Sequence, residues 1–243
     1  MSEKGSAKSP RSRREKLQHV TTHAILASFI ITLIFLIIRI LFTEFEGGLS
    51  SSGRSRAEYI MMAVQCVIGL VLLFLPGMLS KKLMLKIPTN FYVLYVVFIY
   101  FSIYLGEVQG FFYRFANWDT LLHSFSGFAL GALGFSVVTF LNRDERVRMQ
   151  LSPVFVAFFS FCFALASGAV WEICEFAIDG IFGVNMQKFA LEDGTQLIGR
   201  MALSDTMEDL IVDSLSALAA SVIGYFTLRP RKAARESEHT ATK

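Results

Sequence analysis

The chain has 243 residues, of which 53% are hydrophobic and only 18% charged, against about 25% charged in an ordinary globular domain. With 24 Phe and only 5 Pro, the composition excludes a disordered chain, a coiled coil, a collagen-like repeat and a disulfide-rich secreted mini-protein, and it argues against a soluble enzyme. The formal net charge of +3 hides an uneven distribution of charge along the chain.

A membrane-crossing helix needs roughly 20 mostly apolar residues. The first such window, 24–42, contains one charge, Arg39. It is too long for a signal-peptide core, and no small-residue cleavage site follows in Thr43-Glu44-Phe45-Glu46, so it is expected to be retained. The second window, 59–79, is uncharged, and Pro76 is expected to kink or end it. The third, 87–106, is uncharged. The fourth, 119–142, opens on Asp119 and then carries only His123. The fifth, 151–179, is free of charge as far as Trp171. The sixth, 206–228, reaches spanning length only by including Asp213. The expected fold is an all-α, polytopic membrane protein with six transmembrane helices over residues 21–228. Basic tails at 1–20 and 229–243 flank it and should be disordered or lie on anionic headgroups.

Basic residues orient such a chain. With the N-terminus inside, every inside segment is basic. These are the N-terminal tail, the turn with Lys81, Lys82 and Lys86, the turn with Arg143, Arg146 and Arg148, and the C-terminal tail. Only Arg54, Arg56, Arg114, Lys188 and Arg200 fall outside. This predicts an N-in/C-in, multi-pass plasma-membrane protein with the bilayer as its first partner. No nucleic-acid recognition motif accompanies the basic tails. The three cysteines, Cys66, Cys162 and Cys174, form no obvious disulfide pair. The sequence leaves the oligomeric state open.

Acidic residues gather at three outer helix ends. Asp119 and His123 are four apart and share a helix face. Glu172, Glu175 and Asp179 follow i, i+3, i+7 spacing. Asp205, Asp209 and Asp213 are successive i+4 steps, with Glu208 beside them. The same stripes continue as small residues: Gly127, Gly131 and Gly134 after His123, Gly168 before Glu172, and Ala217, Ala220 and Gly224 after Asp213. Small residues at this spacing let membrane helices approach closely. Spans four, five and six are therefore expected to pack together, with their acidic heads in one pocket of the outer leaflet.

Asp213 lies two turns into its helix, roughly 10 Å below the start, where a carboxylate costs about 2.5–3.5 kcal/mol to insert. Carboxylates sharing one site cannot all stay ionised unless protons, a cation or basic side chains neutralise them. Three readings follow. In the first, the pocket holds a divalent metal ion (Mg, Mn, Fe or Zn), with Asp119, His123, Glu172, Glu175, Asp209 and Asp213 as ligands. Glu172 and Asp209 are then the candidate catalytic bases for hydrolysis or transfer on a lipid-linked or envelope substrate. Arg39, Asp179, Asp205 and Glu208 support the site, Arg39 as a phosphate partner. In the second, the same acids couple protons or small cations in a transporter or channel subunit. In the third, the acids are structural: Asp205 as an N-cap, Glu208 and Asp209 as first-turn acids favoured by the helix dipole. That last reading suits Glu172, Glu175 and Asp179 poorly, because acids at a helix C-terminus oppose the dipole.

Trp118 and Trp171 are expected as interface anchors, and Glu107 as a solvated end group. The segment 180–204, with Asn185, Gln187 and several glycines, is expected to form a lid or a re-entrant loop.

The strings W-D-T-L-L-H-S-F-S-G-F (118–128), W-E-I-C-E-F-A-I-D (171–179) and D-T-M-E-D-L-I-V-D-S-L-S-A-L (205–218) resemble the YjdF-like family of bacterial inner-membrane proteins and, more distantly, VanZ-like proteins. Asp119, His123, Gly127, Glu172, Glu175, Asp205 and Asp209 carry the resemblance, which covers roughly the C-terminal half. The chain departs from the pattern at Ser216-Ala217, where Ala or Gly-Ala is usual, and in a longer connection between spans five and six. The resemblance implies an integral-membrane protein and weight on the acidic cluster. It implies no particular reaction.

Overall fold

The computed structural model describes residues 13–42, 56–83, 89–141, 151–191 and 194–241. Helix α1 runs Arg13–Phe42, α2 Arg56–Leu83 and α3 Thr89–Ile99. α3 continues without a break as a π-helix over Tyr100–Val108, and a single turn, α4, covers Phe111–Arg114. Then follow α5 (Trp118–Leu141), α6 (Pro153–Phe182) and α7 (Ser204–Ala241). Among the described residues there is no strand, only an isolated antiparallel bridge between Ala190 and Gln196. Six helical stretches are long and apolar enough to cross a membrane, and they coincide with the six expected spans to within a few residues, apart from the charged N-terminal extension of the first.

Three expectations change. α2 does not end at Pro76 but runs on to Leu83. The third span adopts wide-turn π geometry over Tyr100–Val108, which leaves no mark on the hydrophobic pattern. Residues 229–241 continue α7 as helix, which departs from the disordered alternative expected for this tail and says nothing against its lying on headgroups. The helix-favouring run Lys232-Ala233-Ala234-Arg235-Glu236 suits that continuation. The N-terminal tail before Arg13 lies outside the described residues.

The chain divides into two compact units, Met1–Trp118 and Asp119–Lys243. The first is built on Phe29, Leu36, Tyr59, Cys66, Leu73, Val96, Ile99 and Val108, all buried. Several of its polar groups pair with one another. Arg39 Nη2 donates to the Tyr59 hydroxyl at 3.1 Å, and its guanidinium lies 5.3 Å from that ring's centre. Gln65 Nε2 donates to Glu107 Oε2 at 2.8 Å, so Glu107, which is half-buried, has a bonding partner within this unit. Trp118 donates to the Phe101 carbonyl and stacks on that ring.

The second unit packs α5, α6 and α7 through small residues. α6 starts sharply because Ser152 Oγ accepts from the Phe155 N–H while Pro153 opens the first turn. It stops at Gly183, whose left-handed backbone (φ 66°) lets its N–H reach the Asp179 carbonyl. The buried stripe of α6 is Val156, Ser160, Ala164, Gly168, Glu172, Glu175 and Asp179. A methyl group added at Gly127 of α5 would sit 2.9 Å from the Asp213 carbonyl oxygen and 3.0 Å from its Cα. One at Gly131 would sit 3.0 Å from Ala220 Cβ, and one at Gly134 3.2 Å from Ser160 Cα. One at Gly168 would fall on the Asp213 carboxylate. The glycines thus set the helix spacing, and the neighbours at Gly127 are backbone atoms that cannot rotate away. Gly127→Ala should destabilise the protein by about 1–3 kcal/mol through overpacking. Gly180→Ala, at a helical glycine with nothing within 4 Å, should be neutral or stabilising. Thermal melting of the detergent-solubilised variants checks the contrast, and equal melting points would refute it.

Candidate metal-binding site

α5 enters with Asp119 and His123 one turn apart. α7 brings Asp209 and Asp213 to the same imidazole. His123 Nε2 lies 3.7 Å from Asp119 Oδ1 and 3.8 Å from Asp209 Oδ2. Nδ1, on the other side of the ring, donates to Asp213 Oδ2 at 3.3 Å. His123, Asp209 and Asp213 are buried, and Asp119 is half-buried. One ligand atom from each of Asp119, His123 and Asp209 fits within a sphere of contacts no wider than 4.8 Å, a group that could hold a metal ion.

α6 adds two buried acids. Glu172 Oε1 has no hydrogen-bond partner among the described residues, while Oε2 accepts a long bond (3.4 Å) from Gln187 Nε2. Glu175, equally buried, is within electrostatic reach of Glu172, Asp119, His123 and Asp209. Asp213 Oδ1 is a second buried acceptor without a partner. Buried acceptors of this kind are costly and rare unless a ligand, ion or water completes them.

The connection after α6 reaches back over these residues. Asp179 holds it: Met186 N–H donates to Oδ1 at 2.7 Å and Gln187 N–H to Oδ2 at 3.0 Å. Asn185 closes the loop on Ala190 through both its amide and its carbonyl oxygen. Gln187 Nε2 donates to Thr206 Oγ1 at 2.9 Å. Lys188 Nζ then pairs with Asp119 Oδ2 and, at 2.8 Å, with Asp205 Oδ1. Burial works against the Lys188 charge, but the two carboxylates outweigh it and hold the ammonium above the usual lysine range.

Several expected residues therefore take other positions. Arg39 belongs to the first unit, with its hydrogen bond on Tyr59. Glu208 is exposed and accepts from Ser204 Oγ at 3.0 Å, a helix-start contact. Asp205 is an ion-pair partner, since Ser204 already begins the helix, and Asp209 is buried against His123. Asp179 is a loop anchor, which explains an acid where the helix dipole disfavours one. Lys188 and Thr206 were not singled out from the sequence as site residues, and Gln187 entered only through the polarity of its segment. Lys188 did leave a signal, as one of two basic residues, with Arg200, between two acid-rich helix ends. Asp179→Ala should free residues 186–187 and cost about 2 kcal/mol, since two bonds to a carboxylate are lost. Limited proteolysis should then cut the connection faster while far-ultraviolet circular dichroism stays unchanged. An uncut connection would remove Asp179 as its anchor.

The sequence model of a family described as predicted membrane proteins (DUF2238) matches residues 22–230, a range that contains every residue of the group around His123. No curated protein and no solved structure matches the chain. The chain belongs to the DUF2238 family of predicted membrane proteins.

Proposed function

We propose that this membrane protein binds one divalent cation through Asp119 Oδ1, His123 Nε2 and Asp209 Oδ2. The observation that carries the reading is the convergence of these three atoms on one small volume, with partnerless carboxylate oxygens of Glu172 and Asp213 buried in the same unit. Donation of Nδ1 to Asp213 supports it, because metal-ligating histidines hold their other ring nitrogen on a carboxylate in this way. Asp213 is then the orienting group rather than a ligand. Pairing of Lys188 with Asp119 Oδ2 leaves Oδ1 for the cation. One imidazole and two carboxylates suit Mn, Fe, Mg or Zn and leave coordination positions open. Glu172, with Oε1 free, is the base that such a site would use on a bound water or substrate.

The resemblance to YjdF-like proteins and the basic-residue pattern support placing this site in the outer leaflet of the plasma membrane, both termini cytoplasmic, facing a lipid-linked or envelope substrate. Packing of Gly131 on Ala217 and Ala220 beyond Asp213 supports a closed-ended site over a conducting path.

Purified protein in detergent should take up one Mn²⁺ per chain, read by elemental analysis and calorimetry. His123→Ala and Asp209→Asn should weaken binding by a factor of about 100 or more, and Asp213→Asn by about 10–100, the range for an orienting group. At saturating metal the folded state should gain about 2–3 kcal/mol, so chelation should lower the melting temperature of the wild type alone. A wild type that binds no divalent metal, with melting indifferent to chelator, would sink the reading.

A further inference from the structure

Exposure grades along the group. The Lys188 side chain is 41% exposed, Asp119 and Asp205 are 18% and 20% exposed, His123 and Asp209 are 7% and 6%, and Asp213 is 3%. Any ligand therefore meets Lys188 first and Asp213 last. A bare divalent cation arriving this way encounters an ammonium already seated on one of its ligands.

Two features make that ammonium separable from the loop that carries it. The backbone of residues 186–187 is fixed by Asp179, and Asn185 closes the loop on Ala190, so neither anchor involves the lysine side chain. Lys188 itself sits at φ 46°, a left-handed conformation uncommon for a residue with a side chain and one that persists where the surrounding structure over-determines it. The loop thus holds the lysine Cα over the acids by other means, and the ammonium is free to change partners. It also carries three donors, of which two are used here.

We infer that Lys188 is the oxyanion-binding half of a composite site, in which a divalent cation takes Asp119 and Asp209 and a phosphate-type oxyanion bridges that cation to the Lys188 ammonium. The inference rests on the cation reading above. Without the cation, Lys188 neutralises Asp119 and Asp205. With it, the ammonium and the metal share the Asp119 carboxylate, one at each oxygen, and repel each other. A doubly charged oxyanion relieves that repulsion: its oxygens fill an open coordination position and accept from Nζ. Cation and oxyanion should therefore bind with positive coupling, and the coupling should run through Lys188. The same chemistry is offered by free phosphate and by a phosphomonoester headgroup.

The test is Mn²⁺ binding to the full chain, followed by electron paramagnetic resonance at fixed free Mn²⁺. One arm uses detergent with and without inorganic phosphate. The other uses phosphatidylcholine nanodiscs with and without phosphatidic acid. Wild type should bind Mn²⁺ about fivefold or more tightly with one of the two anions, the lower end of ordinary coupling between sites. The responding arm identifies a free or a lipid-borne oxyanion. Lys188→Asn, which tolerates the left-handed backbone, should bind Mn²⁺ more tightly than wild type without anion and lose the anion response. Lys188→Arg should restore it. Mn²⁺ binding that is indifferent to both anions overturns the inference and leaves the cation site standing, as does an undiminished anion response in a folded Lys188→Asn or Lys188→Gln protein. Absence of Mn²⁺ binding under every condition overturns both.

Discussion

Everything in the second unit is arranged around the difficulty of keeping carboxylates in helices apolar enough to cross a membrane. Asp209, Asp213, Glu172 and Glu175 all lie within such helices and are all buried. Each costs several kcal/mol unless compensated. His123 faces three aspartates from its two ring nitrogens, and Lys188 takes the outer oxygens of two. Helix spacing serves the same arrangement. Gly168 leaves room for the Asp213 carboxylate, and Gly127 lets α5 lie against the backbone that carries it. A larger residue at either position would move the acid away from the imidazole. Packing and charge balance here are one constraint.

The compensation is incomplete, and its incompleteness is specific. Asp179 has both oxygens satisfied by backbone N–H groups, and Glu208 shares a hydroxyl at the surface. One oxygen each of Glu172, Asp205 and Asp213 has no partner among the described residues, while the other is bonded. The loop anchor Asp179 is thus satisfied at both oxygens, while Glu172 and Asp213 each retain acceptor capacity. An all-structural account predicts saturation throughout, since an unsatisfied buried acceptor costs about 1–3 kcal/mol.

Much of this was legible in the sequence because membrane helices announce themselves by length and apolarity, and an i, i+4 stripe fixes which residues share a face. Asp119 with His123, and Asp209 with Asp213, could be paired on that ground alone. Division of labour among the acids could not. Whether Asp179 binds a ligand or holds a loop depends on where residues 186 and 187 turn, and that turn depends on Gly183 and on the left-handed backbone at Lys188. The π-helical stretch at Tyr100–Val108 was invisible for a similar reason, since an apolar run looks the same at either winding. For Arg39, charge alone suggests acids as partners, and a pattern of charges does not register the Tyr59 hydroxyl and ring that meet it within the first unit.

The first unit provides an internal control for where chemistry belongs. It too places polar groups among apolar helices, and several of them pair with one another. Thr32 shares a hydrogen bond with the Tyr104 hydroxyl, Gln65 donates to Glu107, and Tyr95 donates to the Leu72 carbonyl. These pairs have the character of interhelical glue, in which small polar contacts fix the register of packed membrane helices. Nothing in them calls for a further ligand. The second unit uses the same bilayer-compatible scaffold but concentrates acids of one sign, brings a histidine among them, and tethers a lysine over the exposed side. Gln and Tyr would have served packing at lower cost. Acids retained at such positions against that cost are best explained by something they bind.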